Sequence, residues 1–200
     1  MIRKLAATAA LLGLTASPAF AHLDPVAHGS FAAGFSHPLS GTDHILAMVV
    51  VGLWAALLAQ AADRRALWLI PAAFVGTMVI GFGAAMLDLP LPFVEPVILS
   101  SVVVIGLLAA VALNVQTVLA MAMVGFFAVF HGHAHGGEIG QAGAWPYAAG
   151  FAFATALLHA AGVAAGLLLG KAFGTASGRL ATRLAGGAAA LGGVWLALAG

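Results

Sequence analysis

Two short stretches of this chain concentrate side chains that can bind metal ions. His37-Pro38-Leu39-Ser40-Gly41-Thr42-Asp43-His44 carries two imidazoles and a carboxylate. Phe130-His131-Gly132-His133-Ala134-His135-Gly136-Gly137-Glu138 carries three imidazoles and a carboxylate. Nitrogen donors joined by an oxygen donor suit Ni²⁺, Co²⁺ or Zn²⁺. The chain has no cysteine, so thiolate sites and disulfides are excluded and the eight histidines are its main ligand resource.

In the first stretch, positions seven apart on a helix return to nearly the same face, which would align His37 with His44 and set Asp43 beside them. Alternatively, Pro38 and Gly41 start or interrupt the helix, freeing backbone carbonyls and angling His37 toward the same pocket. Either geometry gathers two imidazoles and one carboxylate. In the second stretch, His131, His135 and Glu138 fall at i, i+4 and i+7 and share one helical face, with His133 pointing elsewhere. Gly132, Gly136 and Gly137 weaken a helix, so part of the motif is open to being a loop that wraps the ion, or a His-rich exterior loop that gathers metal loosely. His131 is the favoured pore ligand, with His133 and His135 as capture ligands.

Other ionisable groups are few. A charged group at mid-bilayer costs about 2.5–3.5 kcal/mol on insertion scales, so Asp43 and Glu95, near or within apolar runs, suggest a specific use; the bland alternative is solvation by headgroups. His159 lies in the apolar segment Ala156-Leu157-Leu158-His159-Ala160-Ala161-Gly162. It is either a functional group or a structural one hydrogen-bonded to a neighbouring helix. Met48, Met78, Met86, Met121 and Met123 could sketch a soft Cu(I) path, but scattered methionines in apolar helices usually pack.

These residues are set in a chain of 200 residues that is 63% hydrophobic and 6% charged, with a mean hydropathy of +1.11. No water-soluble surface can be built from it. At roughly 20 apolar residues per crossing, there is length for about six or seven spans and none for a soluble catalytic domain. The balance of 7 basic and 6 acidic residues gives no nucleic-acid footprint.

Residues 1–21 have the pattern of a signal peptide: Arg3 and Lys4, the apolar run Leu5 to Leu14, then Ala19-Phe20-Ala21. An uncleaved first helix is the alternative. Cleavage would leave 22–200 as a single transport domain and make His22 the mature N-terminus, where its α-amine and imidazole could chelate a metal together.

Apolar runs predict an all-α polytopic protein with six transmembrane helices at about 41–61, 66–87, 94–113, 115–133, 146–170 and 181–199. Turns are expected at 63–65, 88–92, Asn114, 132–143 and 170–182. With an outside N-terminus, alternation places Arg64, Arg65, Lys171, Arg179 and Arg183 all in cytoplasmic turns, as the positive-inside rule requires. Both mature termini are then periplasmic in a bacterial inner membrane, and both histidine motifs face outward. Trp68, and Trp145 with Tyr147, suit the interfacial aromatic belts.

At the two motifs the sequence resembles the HupE/UreJ family of nickel and cobalt permeases. The resemblance rests on an HPxxGxDH element, His37 to His44, and an FHGHAHGxE element, Phe130 to Glu138, and covers essentially the whole chain. It implies inward nickel transport serving hydrogenases or ureases, with His37, Asp43, His44, His131 and Glu138 as the principal residues and Glu95 joining them. The chain lacks the longer pattern of the larger nickel/cobalt transporters, which leaves the choice between nickel, cobalt and zinc open. The lipid bilayer and the divalent ion are the expected partners; homo-oligomerisation is left open.

No prosthetic group is implied, since nickel or cobalt is cargo, and no GxxxxGK[ST] element supplies an ATP site. Ligand histidines bind only when neutral, so uptake should fall at acidic pH. An intramembrane zinc metalloenzyme would need an open coordination position and a general base, and no HExxH pairing occurs. A metal-binding accessory protein that does not transport is the other rival.

Overall fold

A computed structural model describes residues 30–138 and 143–199, the side chain of Glu138 excepted. The expected signal peptide, 1–21, and His22 lie outside the described residues. All regular elements among them are helices: α1 (Phe31–Ser40), α2 (Thr42–Ala61), α3 (Ala66–Met86), α4 (Val94–Ala110), α5 (Thr117–Glu138) and α6 (Ala144–Ala199). Helices α2, α3, α5 and α6 are long and apolar enough to cross a membrane, and α4 is a shorter apolar helix of 17 residues. The protein is a multi-pass membrane protein.

Two of the expected spans, 41–61 and 66–87, coincide closely with α2 and α3; the third, 94–113, begins with α4, which ends earlier, at Ala110. The first correction concerns α5. The expected span 115–133 continues through Gly132, Gly136 and Gly137 to Glu138 as regular helix, so the second histidine motif is not a loop. Two of its three glycines serve helix packing instead. A Cβ on Gly132 or Gly136 would overlap the backbone of α3 at Met78 and Phe82, the close approach that small residues four apart permit between membrane helices.

The second correction concerns α6. At about 1.5 Å per residue its 56 residues would run about 84 Å if straight, far beyond a bilayer core of about 30 Å. It is not straight. Gly174 has φ 78° and ψ 165°, a conformation glycine adopts without steric cost. The chain doubles back there so sharply that Gly178 abuts Leu169 and Gly170. The loop expected over 170–182 is thus a one-residue break between two helical limbs.

The limbs have different neighbours. The first runs parallel to α2, with Gly52 against His159 and Gly166 against Ala56; the second runs antiparallel to α4, with Gly186 against Ala109 and Gly193 against Val102. Helices α3 and α5 form another parallel pair, as Gly125 meets Thr77 and Gly136 meets Phe82. Helix α2 is apolar all round and buried along most of its length, including Ala47, Met48, Val51 and Trp54, as a helix at the centre of a bundle must be. Trp54 Nε1 donates to the Leu113 carbonyl at 3.1 Å, tying α2 to the turn that follows α4.

One end of the bundle collects the basic residues among those described. Thr117 Oγ1 donates to Asp63 Oδ2 at 3.1 Å, Arg183 Nε donates to the Ala110 carbonyl at 2.8 Å, and Gln60 lies beside Gly170. The turn bearing Arg64 and Arg65 and the helical ends bearing Lys171, Arg179 and Arg183 therefore adjoin one another. The histidine motifs occupy the opposite end.

Candidate metal centre

The first motif is interrupted, not continuous. Ser30 caps α1 by accepting from the Ala33 amide at 3.0 Å. Helix α1 contains Pro38 and stops at Gly41, whose φ of −90° and ψ of 120° are extended. Helix α2 then starts in a new direction, so His37 and His44 reach one point from two helices. Gly41 leaves these side chains room: a Cβ there would stand 2.8 Å from Asp43 Oδ1 and 2.9 Å from His44 Nδ1.

The residue that completes the set is His135 of α5. One ring nitrogen from each of His37, His44 and His135 lies within 4.8 Å of the other two. His44 Nε2 and His135 Nε2 are 2.8 Å apart. Two nitrogens bound to one ion at about 2.1 Å are separated by about 3.0 Å at a right angle and about 3.4 Å in a tetrahedron, so this pair needs only a slight opening. His37 and His135 stack edge on, ring centres 4.2 Å apart. Phe151 of α6 backs all three rings, at 5.9, 6.0 and 4.9 Å from His37, His44 and His135.

Asp43 stands behind this set. Its Oδ2 is 2.9 Å from His44 Nδ1, close enough for charge attraction although off the line of a well-formed hydrogen bond. A carboxylate there favours the proton on Nδ1, which leaves Nε2 as the lone pair facing His135. Such a carboxylate–histidine arrangement orients the ring and raises its basicity as a ligand.

His131 occupies the next turn inward. It is fully buried, its ring centre is 5.4 Å from that of His44, and its Nε2 lies 3.0 Å from Ser101 Oγ. Ser101 Oγ donates its single proton to the Ile98 carbonyl at 2.6 Å. It therefore accepts from His131 Nε2–H, and His131 Nδ1 is a buried lone pair with no hydrogen-bond partner.

The remaining sequence candidates are distributed otherwise. His133 Nε2 donates to the Leu89 carbonyl at 2.7 Å, tying α5 to the α3–α4 turn and turning away from the triad. Glu95 is exposed at the start of α4 and lines a groove with Ser100 and Ala197. The Glu138 side chain lies outside the described residues. Tyr147, assigned to an interfacial belt by its neighbour Trp145, is instead buried and packs 6.1 Å from the His37 ring. Met48 and Met78 are buried packing residues. Sequence spacing had no signal for Ser101 or Phe151, since neither lies near a histidine in the chain; both reach the site only through helix pairing.

The family model described as HupE / UreJ protein matches residues 9–196. Protein HupE of Rhizobium leguminosarum bv. viciae is 43% identical over 194 residues, covering 96% of each chain. No solved structure matches this chain.

Proposed function

As the chain belongs to the HupE/UreJ family, we propose that it is an inner-membrane permease taking up divalent nickel, with cobalt as a second substrate, for metalloenzyme maturation. The observation that carries this reading is the convergence of His37, His44 and His135 from three helices within 4.8 Å. Imidazole nitrogens backed by a carboxylate suit Ni²⁺ and Co²⁺, and no soft thiolate competes. A hydrated ion exchanges water for these nitrogens one at a time, because a site that bound it in one tight step would not release it.

The proposed topology follows from charge. The signal peptide is removed after Ala21, and α2, α3, α4, α5 and the two limbs of α6 make six crossings. The basic end faces the cytoplasm by the positive-inside rule, so the histidine end opens to the periplasm, where both mature termini also lie. Catalysis has no part in this reading.

The test is accumulation of radiolabelled nickel in liposomes that contain only this protein. Accumulation that requires His44 supports the permease. Binding without accumulation overturns it in favour of an accessory metal-binding role. Competition by cobalt and zinc orders the substrates.

A further inference from the structure

Below the outer triad one more imidazole is presented as a ligand. His159, on the first limb of α6, is fully buried. Its Nδ1 is 2.7 Å from the Met48 carbonyl of α2. A carbonyl can only accept, so the proton is on Nδ1 and Nε2 carries the lone pair. That Nε2 is buried with no hydrogen-bond partner. A histidine kept solely to hold two helices together gains nothing from the bare nitrogen, and leaving a buried acceptor unsatisfied costs about 1–3 kcal/mol.

The surroundings connect it to the outer site. Phe74 of α3 touches both His131 and His159, with ring centres at 5.5 and 4.8 Å. One turn toward the histidine end, Thr155 Oγ1 contacts Met78 Sδ at 3.8 Å. In His131 and His159 alike, a hydrogen bond within the chain fixes one ring nitrogen and leaves the other bare, the pattern by which proteins prepare a histidine for metal.

We propose that His159 Nε2 is the ligand of a second, inner ion station, to which His131 hands the divalent ion from the outer triad. The proposal rests on the permease reading for its direction of flow, but the station itself can be tested without transport.

Full-length protein in detergent is dialysed to equilibrium against nickel alone. His159→Gln keeps an N–H donor for the Met48 carbonyl but loses the imidazole lone pair, and it is expected to bind one ion fewer than the wild type. His44→Ala, which disables the outer triad, is expected to retain one ion. A His159→Gln count equal to wild type, or a His44→Ala protein that binds none, overturns the inner station. In liposomes His159→Gln is expected to take up nickel at least tenfold more slowly, and unchanged uptake overturns the hand-over. A wild type that loses one ion on His159→Gln substitution yet accumulates no nickel leaves the station standing and removes the permease reading instead.

Discussion

In the proposed site Asp43 and His44 divide one task between adjacent positions: the imidazole offers a lone pair, and the carboxylate 2.9 Å from its Nδ1 favours the proton on that nitrogen. Asp43→Asn is therefore expected to keep the triad in place while weakening nickel binding about 10–100-fold, the usual cost of losing such a partner. Equilibrium titration measures it, and an unchanged affinity would remove the carboxylate from the site. His133→Ala, by contrast, breaks a tie to the Leu89 carbonyl outside the triad and should leave nickel affinity within about twofold. At this scale the sequence narrowed the candidates, because a chain without cysteine offers histidine and carboxylate side chains as its metal ligands. It did not show that His135 is the one grouped with His37 while His131 lies one turn along, its ring 5.4 Å from His44. Both lie on the same helical face, and their levels are fixed by how far α5 slides along α3, a quantity that spacing within α5 does not contain.

Glycines in the second motif illustrate what element-scale reading missed. In isolation each lowers helix propensity by about 1 kcal/mol, and that argument predicted a loop. In the bundle, Gly132 lies against the α3 backbone at Met78, whereas Gly137 has nothing within 4 Å. Thermal melts of matched variants separate the two roles. Gly132→Ala is expected to lower the melting temperature through overpacking of about 1–3 kcal/mol, and Gly137→Ala to leave it unchanged or slightly raised. Equal behaviour would show that α3 and α5 do not approach so closely. Gly41→Ala tests a different consequence of small size. Its Cβ would press on Asp43 and His44, so nickel affinity should fall with little loss of helix content by circular dichroism. The same lesson applies at Gly174: a run of small residues read as a loop, because the sequence does not say that a single glycine suffices to reverse a helix when Gly170 and Gly178 let the limbs touch.

For the molecule as a whole, the separation of basic turns from histidine motifs was legible from hydropathy and charge alone, since lipid forces helices to alternate in direction. Two predictions belong here. Mass spectrometry of the purified protein should find His22 as the first residue, and an intact Met1 would exclude the processed form. Nickel should also raise the melting temperature of the wild type, because an ion bound only by the folded state stabilises it by about 2.7 kcal/mol at a hundred times its dissociation constant. The parallel pairing of helices gives that stabilisation a mechanical sense. His37 and His44 belong to α1 and α2, which pack on the first limb of α6, while His135 belongs to the pair formed by α3 and α5. The three histidines therefore come from two helix groups, and a metal seated among them would be a bolt through both. In the proposed permease an ion moving inward is first unfastened from one group, so the rate at which the two part sets a ceiling on the rate of passage.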